Sequence, residues 1–402
     1  MKKGALMTFH APIASSYSAL VVSALLSLCA LPVAAQSPCT GQKSQTIACL
    51  TLETIGQAFG GNNNNVPFPT YAGYGNQNGN AYLVAPLTAS QPIPSPASGF
   101  VYAIDPSSGA YVRSSDSFGP ILSERADTIG VKKLFLGATF QRFVFDKVDG
   151  LNAHALVYSN LAQTGLTGTI NADLQLNQYT MFATYGVTDR IDVSLAIPIS
   201  SVRYGVGVTA TAPGSSTILS SASASHIASG LGDIDFEVKG TVLRRQKAAV
   251  AVGTVFRMPT GDPYEALGAG SLGVKPFVAG SINYKHISPH LNIGYLFNGK
   301  SILTGNILTG ERRQIPDQAN YAAGVDSGLN RWLTVAFDVL GTEVIHGDRA
   351  TTLTRLSYNM TNGSVGFKLS PGGTFLVVVN ALFPINSGSG LRTKFSPLIG
   401  LS

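Results

Sequence analysis

Charged and apolar side chains alternate at every position of Asp233-Ile234-Asp235-Phe236-Glu237-Val238-Lys239, and polar and apolar side chains alternate in Arg190-Ile191-Asp192-Val193-Ser194-Leu195. Successive side chains of a β-strand point to opposite faces, so each stretch predicts a strand with one apolar and one polar face. In a soluble sandwich the apolar face packs on a core, whereas in a membrane barrel it faces lipid and the polar face lines the lumen. The alternation predicts β-structure and leaves these two architectures open.

The connections between the predicted strands favour the barrel. Short connections such as 187–190 and 244–247 alternate along the chain with longer ones such as 201–229 and 259–271. Up-and-down membrane barrels have tight turns at one rim and long loops at the other, whereas Greek-key sandwiches show no such order. The predicted strands are 131–146, 172–187, 190–200, 230–243, 248–258, 272–284, 289–298, 319–328, 332–344, 354–369, 374–383 and 394–402.

We therefore predict an all-β fold, a transmembrane antiparallel up-and-down β-barrel of about 12 strands. In most strands one face is apolar; in 172–187, for example, Tyr179, Met181 and Tyr185 are expected to face lipid. Two strands, 131–146 and 374–383, carry apolar residues on both faces, and their orientation stays open.

The N-terminus predicts export. Lys2 and Lys3 precede an uncharged apolar stretch at 19–33, and the small residues Ala34 and Ala35 follow, which is the pattern of a cleaved signal peptide. No later stretch has the roughly 20 uninterrupted apolar residues of a spanning helix. We predict a signal peptide at 1–35, an irregular plug-like segment at 36–130, a barrel at 131–402 and a place in the cell outer membrane.

The segment 36–130 differs in composition from the barrel. Ile47, Leu50, Thr54, Ile55 and Ala58 recur at helical spacing and predict one short helix. A stretch rich in Pro, Gly and Asn runs on to about residue 99 and reads as a linker or an irregular plug. A hairpin is predicted from 100–104 and 110–112, around a turn at 105–109.

Two cysteines, Cys39 and Cys49, follow the predicted signal peptide. An exported chain meets an oxidising compartment, so we predict a disulfide between them; the alternative is two free thiols. The bridge would hold the N-terminal segment and implies no chemistry.

Composition excludes one class of partner. The formal net charge is +6, two of the lysines lie in the predicted signal peptide, and only 12% of the residues are charged. Nucleic-acid-binding proteins cluster their Lys and Arg residues, which this chain does not. A mild basic balance suits contact with outer-membrane lipid.

Charged residues on the polar faces of the strands are candidates to line the lumen. The ladder Asp233, Asp235 and Glu237 would bias passage towards cations or hold a plug by salt bridges; the alternative is a solvated interior neutralised by neighbouring cations. Glu124 and Arg125 are candidate plug anchors, or else belong to an exposed turn. The full set of lumen-lining candidates is Arg190, Asp192, Asp233, Asp235, Glu237, Lys239, Arg257, Lys275 and Asp338.

No pattern predicts covalent chemistry. The histidines after the signal peptide are not placed in a regular pattern with a serine and an acid, and most lie in or beside predicted loops. No metal-ligand spacing and no phosphate-binding loop are present in the sequence. We predict no catalytic, cofactor or metal site, and a protein that is not an enzyme.

Several motifs in order resemble the family of exported barrels named for the meta-cleavage pathway of phenol degradation. They include Phe118-Gly119-Pro120, Glu124-Arg125-Ala126, Tyr185-Gly186-Val187-Thr188-Asp189-Arg190, Met258-Pro259-Thr260-Gly261-Asp262, Asn292-Ile293-Gly294-Tyr295, Phe383-Pro384-Ile385-Asn386 and Gly390-Leu391-Arg392. The resemblance covers residues 115–402. It implies an outer-membrane protein that helps hydrophobic or aromatic compounds across, in a role similar to that of the fatty-acid and toluene uptake barrels.

One departure concerns the barrel-assembly machinery, which is the expected partner during insertion. Outer-membrane barrels usually end on an aromatic residue that this machinery reads, whereas this sequence ends on Leu401-Ser402. The departure bears on assembly and not on the predicted fold.

Together these patterns predict an outer-membrane channel for passive passage of small hydrophobic or aromatic solutes. One alternative is a structural barrel that binds a partner through long loops, above all 201–229. Another is a barrel enzyme that modifies envelope lipid.

Overall fold

The computed structural model describes residues 39, 45–58, 102–104, 111–113, 117–148, 150–160, 166–284, 286–307, 310–345, 358–371, 375–386 and 390–402. These residues belong to one compact unit, 37–402. The predicted signal peptide and most of the predicted linker lie outside the described residues. Among the described helices, none has the length and apolar character needed to cross a membrane.

The elements of the N-terminal segment are a helix and a hairpin, as predicted. Helix α1 is Ile47–Ala58, and strands β1, Tyr102–Ile104, and β2, Tyr111–Arg113, pair with each other. The later strands are β3 Leu134–Val148, β4 Leu151–Asn152, β5 Leu156–Asn160, β6 Leu166–Gly186, β7 Ile191–Thr211, β8 Ile218–Leu231, β9 Ile234–Arg244, β10 Ala248–Met258, β11 Gly273–Ile282, β12 Ile287–Asn298, β13 Lys300–Asn306, β14 Glu311–Gln314, β15 Gln318–Asn330, β16 Leu333–Val344, β17 Tyr358–Leu369, β18 Val377–Pro384, β19 Leu391–Thr393 and β20 Ser396–Leu401.

The sheet closes on itself. Strand β3 pairs with β6 on one side and with β20 on the other, and all neighbouring strands are antiparallel. Strands β8 and β9 both pair with β7 and form one interrupted wall strand, as β19 and β20 do beside β3. The result is a closed 12-stranded antiparallel barrel, which confirms the predicted fold.

The prediction of a long loop at 201–229 is wrong. Strand β7 continues to Thr211 and β8 begins at Ile218, so only 212–217 connects them. Gly, Ser and Ala dominate this stretch and resemble a loop in composition, although the two-residue alternation continues through it. The predicted long connections 147–171 and 299–318 likewise contain strands, β4, β5, the start of β6, and the β13–β14 hairpin.

The wall changes polarity at one rung of the ladder. Arg142, Asn177, Ser201 and Ser229 are successive cross-strand partners on β3, β6, β7 and β8, and their side chains lie on the outer face. We call this set the boundary rung. The next outward-facing partners towards the short turns are all apolar: Phe140, Tyr179, Ile199 and Leu231.

The lower wall is the part of the barrel between the boundary rung and the rim with the short turns. Its outer side chains are apolar and exposed, as predicted for Tyr179, Met181 and Tyr185, while Thr180 and Thr184 are buried inside. No described element covers this outer surface. It forms an apolar belt around the molecule.

The upper sheet is the part of β3, β6, β7 and β8 beyond the boundary rung, 143–148, 166–176, 202–211 and 218–228. Here the faces are exchanged, because most inner side chains, apart from Ser220 and His226, are apolar and the outer ones are mostly polar. The first inner rung consists of Phe143, Leu176, Val202 and Ala228, each at most 5% exposed.

Helix α1 covers the inner face of the upper sheet. Ile47, Ile55 and Ala58 join its buried apolar cluster. The Thr51 hydroxyl donates a hydrogen bond to the Tyr204 hydroxyl at 2.6 Å, and Ser220 donates to the Ala58 carbonyl. The helix therefore lies at the long-loop end of the barrel, where it replaces water over an apolar surface.

Candidate functional site: the barrel lumen

Residues 117–130, which we call the inner segment, cross the barrel near its short-turn end. The Phe118 amide donates to Thr334 Oγ1 on β16 at 3.0 Å. At its other end, the Ile129 amide donates to Asp192 Oδ2 on β7 at 2.9 Å. Because β7 and β16 lie on different sides of the barrel, the segment spans the lumen between them.

Side chains of the wall satisfy the backbone of the inner segment. Asn292 accepts from the Glu124 amide at 2.6 Å and donates to the Glu124 carbonyl at 2.8 Å. Thr241 donates to the Ala126 carbonyl at 2.7 Å, and Lys368 Nζ donates to the Pro120 carbonyl at 2.5 Å. A buried segment without a strand partner needs such bonds, since unpaired backbone groups are costly.

Arg125 reaches a buried ionic cluster on β12, β15 and β16. Its guanidinium lies 3.7 Å from Asp326, and the Ser123 hydroxyl donates to Asp338 at 2.7 Å. His290 stands between the two acids, with Nδ1 3.3 Å from Asp326 and Nε2 2.6 Å from Asp338. Removing one member of such a cluster leaves a buried charge uncompensated, which is strongly destabilising.

Glu124 reaches a second cluster on the opposite side of the segment. Its carboxylate lies 3.0 Å from Lys239 Nζ, and the Lys239 side chain is 1% exposed. Glu237 and Lys275 are both cross-strand partners of Val255 on β10, so they lie in one row of the sheet, and Asp235 lies one inward-facing position from Glu237. The structure thus brings Asp192, Asp235, Glu237, Lys239 and Lys275 together on the inner face of β7, β9 and β11, in a part of the sheet where β10 separates β9 from β11.

Asp233 supports the loop between β10 and β11. Its two carboxylate oxygens accept from the Gly261 amide at 3.0 Å and the Ala269 amide at 2.7 Å. Arg257 lies 3.8 Å from Asp233 and donates to Asn298 at 2.7 Å. This end of the predicted acidic ladder therefore faces a loop, while the other end faces the inner segment.

Arg190 lies apart from these clusters, exposed in the turn between β6 and β7. Sequence reasoning did not single out His290, Asp326 or Lys368. The two-residue alternation of β15 and β17 held a usable signal, since it puts Asp326 and Lys368 on the polar face. Their role depends on the inner segment, whose path no strand pattern predicts.

An apolar pocket lies in the wall of the lumen opposite β10–β12, among buried polar side chains such as Gln141, Thr180 and Asn380. Phe135, Phe182, Val378 and Leu398 line a shallow pocket on β3, β6, β18 and β20, and Ile121 of the inner segment closes it. These strands also explain the two ambiguous sequences. In β18 the outer face meets the surroundings, while Val378 on the inner face lines the pocket.

His290 and the described acidic side chains do not form a hydrolase triad or a metal site. Both ring nitrogens of His290 face carboxylates, so neither is directed at a serine hydroxyl. Within the described ranges no group of three or more His, Cys, Asp or Glu side chains is placed to hold a metal ion. Cys39 and Cys49 form a disulfide with Cα atoms 5.7 Å apart, and Cys49 lies in the first turn of α1.

No protein-family model and no curated protein matches the sequence. Among solved structures, the chain is similar to the COG4313 outer membrane channel from Pseudomonas putida F1, at 13% identity and a TM-score of 0.51, over 69% of this chain and 97% of that one. The Ralstonia pickettii toluene transporter TbuX aligns at 11% identity and a TM-score of 0.38, over 68% of this chain and 89% of that one. At these identities the likeness to the first is one of fold alone: this chain shares the barrel architecture of an outer-membrane channel.

Proposed function

We propose that the protein is an outer-membrane channel for passive passage of small hydrophobic or aromatic compounds. The observation that carries the proposal is the combination of an apolar belt outside with an apolar pocket inside the same barrel. The belt supports a place in a bilayer, and the pocket supports a solute that is itself apolar.

The belt argues for hydrocarbon around the lower wall. Leu134, Ile293 and Phe337 are each more than half exposed, and contact with water would cost about 25 cal/mol for each Å² of such surface. In β7 the apolar outer face covers 191–199, close to the roughly 9–11 residues of a tilted transmembrane strand. Export through a cleaved signal peptide and insertion by the barrel-assembly machinery belong to the same proposal.

Two described elements lie within the lumen in this conformation. The inner segment crosses the short-turn end, and α1 covers the apolar surface at the long-loop end. Passage then requires the inner segment to move, and Glu124 and Arg125 are its anchors because each reaches a buried partner of opposite charge. The phenol-pathway resemblance supports aromatic solutes as the class carried.

The test compares the native protein with two variants that loosen the inner segment, Glu124→Gln/Arg125→Gln and Asn292→Ala. Arg331→Gln, in an exposed short turn, is the matched control. We expect both loosened variants to give larger single-channel currents in planar bilayers and faster uptake of radiolabelled toluene by cells. The control should behave as the native protein does.

Heat-modifiable gel mobility identifies which variants have folded. If folded variants neither conduct nor speed uptake, the channel proposal is wrong. A structural, partner-binding barrel would then be favoured, since the upper sheet extends beyond the belt and presents a polar outer surface. An envelope-lipid enzyme would instead lose a lipid-modifying activity when His290 is replaced.

A further inference from the structure

Two arginines stand on the outer surface where the wall changes polarity. Arg142 belongs to the boundary rung on β3, and Arg203 on β7 is one outward-facing position beyond it. Both are exposed. Gln175 on β6 lies between them, because Arg142 donates to its Oε1 at 3.1 Å and it is the direct cross-strand partner of Arg203.

The surroundings of the two arginines match a membrane interface. Directly below them the rings of Phe140 and Tyr179 pack with centroids 4.8 Å apart, at the edge of the apolar belt. Aromatic side chains collect at the level of lipid headgroups. The boundary rung itself adds the hydroxyls of Ser201 and Ser229, which hydrogen-bond to each other at 2.9 Å.

We propose that this surface binds the phosphate groups of a phosphorylated glycolipid of the outer leaflet, the class to which lipopolysaccharide belongs. The inference rests on the proposed function, because it requires an outer membrane around the belt. Guanidinium groups bind phosphate with two parallel hydrogen bonds, and hydroxyl and amide side chains suit the sugar. Asp173, one outward position beyond Gln175, accepts a hydrogen bond from Gln175 at 3.3 Å. The two arginines together with this one carboxylate leave a net positive charge on the surface.

The experiment measures binding of the purified full chain to vesicles that contain lipopolysaccharide. The variants are Arg142→Gln, Arg203→Gln and the double variant, and the control is Arg245→Gln/Arg331→Gln, which removes two exposed arginines from the short turns. We expect about fivefold weaker binding for each single variant and about 30-fold for the double variant. The loss should shrink as salt is raised, and the control should bind as the native protein does.

Two further arms identify the source of the phosphate. Dephosphorylated lipopolysaccharide should bind the native chain as weakly as intact lipopolysaccharide binds the double variant. Inorganic phosphate at millimolar concentration should not displace the glycolipid; complete displacement would indicate a site for free phosphate and overturn the proposal. Equal binding by the native and double-variant proteins would also overturn it.

Toluene uptake measured on the same variants separates this inference from the function on which it rests. If the variants retain toluene uptake and bind the glycolipid as the native protein does, only the glycolipid site is refuted. Absent uptake together with arginine-dependent glycolipid binding refutes only the channel. Each single variant provides a reading if the double variant does not fold.

Discussion

The lower wall and the upper sheet are two halves of the same strands with opposite faces. In β7, Asp192 and Ser194 point inward and Ile191 and Ile199 outward, whereas beyond Ser201 the inward side chains are apolar. The backbone ladder to β6 continues without a break through the change. Alternation alone therefore specifies a strand. Whether the apolar residues face inward or outward depends on what surrounds each face of that strand.

The comparison implies that one substitution has different effects at the two levels. An inner position of the lower wall meets polar side chains and the inner segment, while an inner position of the upper sheet meets a packed apolar cluster under α1. Four predictions examine this contrast, from the largest expected effect to the smallest.

Phe143→Ala should cost about 3–5 kcal/mol in the free energy of unfolding, because it leaves a cavity in the cluster below α1. Phe143 is fully buried on the first inner rung of the upper sheet. Denaturant unfolding in detergent micelles measures the loss. The control is Phe140→Ala on the outer face, where detergent fills the gap, and equal losses would contradict the assignment of faces.

Leu195→Arg should destabilise the barrel by about 2–4 kcal/mol, since it places a charge on the outer face of the lower wall. Ser225→Arg, on the exposed outer face of the upper sheet, should change stability by about 0.5 kcal/mol or less. Folding yield and unfolding midpoint in lipid vesicles are the readouts. A large effect of Ser225→Arg would mean that the bilayer extends beyond the boundary rung.

Replacing both cysteines by serine should cost about 2–3 kcal/mol, from the entropy of the short loop that the Cys39–Cys49 bridge closes. The loss should be local. We expect faster amide hydrogen exchange in α1 and unchanged exchange in β10 and β11 of the lower wall. Uniform loosening of both regions would show that the upper sheet and the lower wall unfold together.

Thr51→Val should cost about 1 kcal/mol, because it removes the hydrogen bond between Thr51 and the buried Tyr204 hydroxyl. Tyr204→Phe should cost a similar amount, and the double variant should cost less than the sum. A double-mutant cycle on unfolding free energies gives the coupling. Strict additivity would mean that the two hydroxyls do not interact in solution.

The sequence predicts the lower wall well because its two faces have opposite polarity over most strands. Strand β10 occupies 248–258, as predicted. Its alternation leaves one register in which the apolar side chains lie outward. The upper part of β7 and β8 was not predicted, because its composition of small residues is compatible with both a strand and a loop.

Strand β3 shows why the sequence of one strand does not predict which of its faces points outward. Its sequence has apolar residues on both faces, since Leu134 and Leu136 belong to the outer belt and Phe143 and Phe145 to the inner cluster. The switch of the apolar side chains from the outer to the inner face of β3 is visible only when β6 and β7 are aligned beside it. The contact of Lys239 with Glu124 was equally out of reach, because it joins residues 115 positions apart.

Five wall side chains hold the backbone of the inner segment. Asn292, Thr334 and Ser281 accept from its amides, and Thr241 and Lys368 donate to its carbonyls. Once the segment withdraws, those same donors and acceptors face an empty passage and take up water. One side of the opened lumen would then be lined by hydrated polar side chains, and the other side would contain the apolar pocket. In the proposed channel, ions would therefore pass through the opened barrel together with the solute.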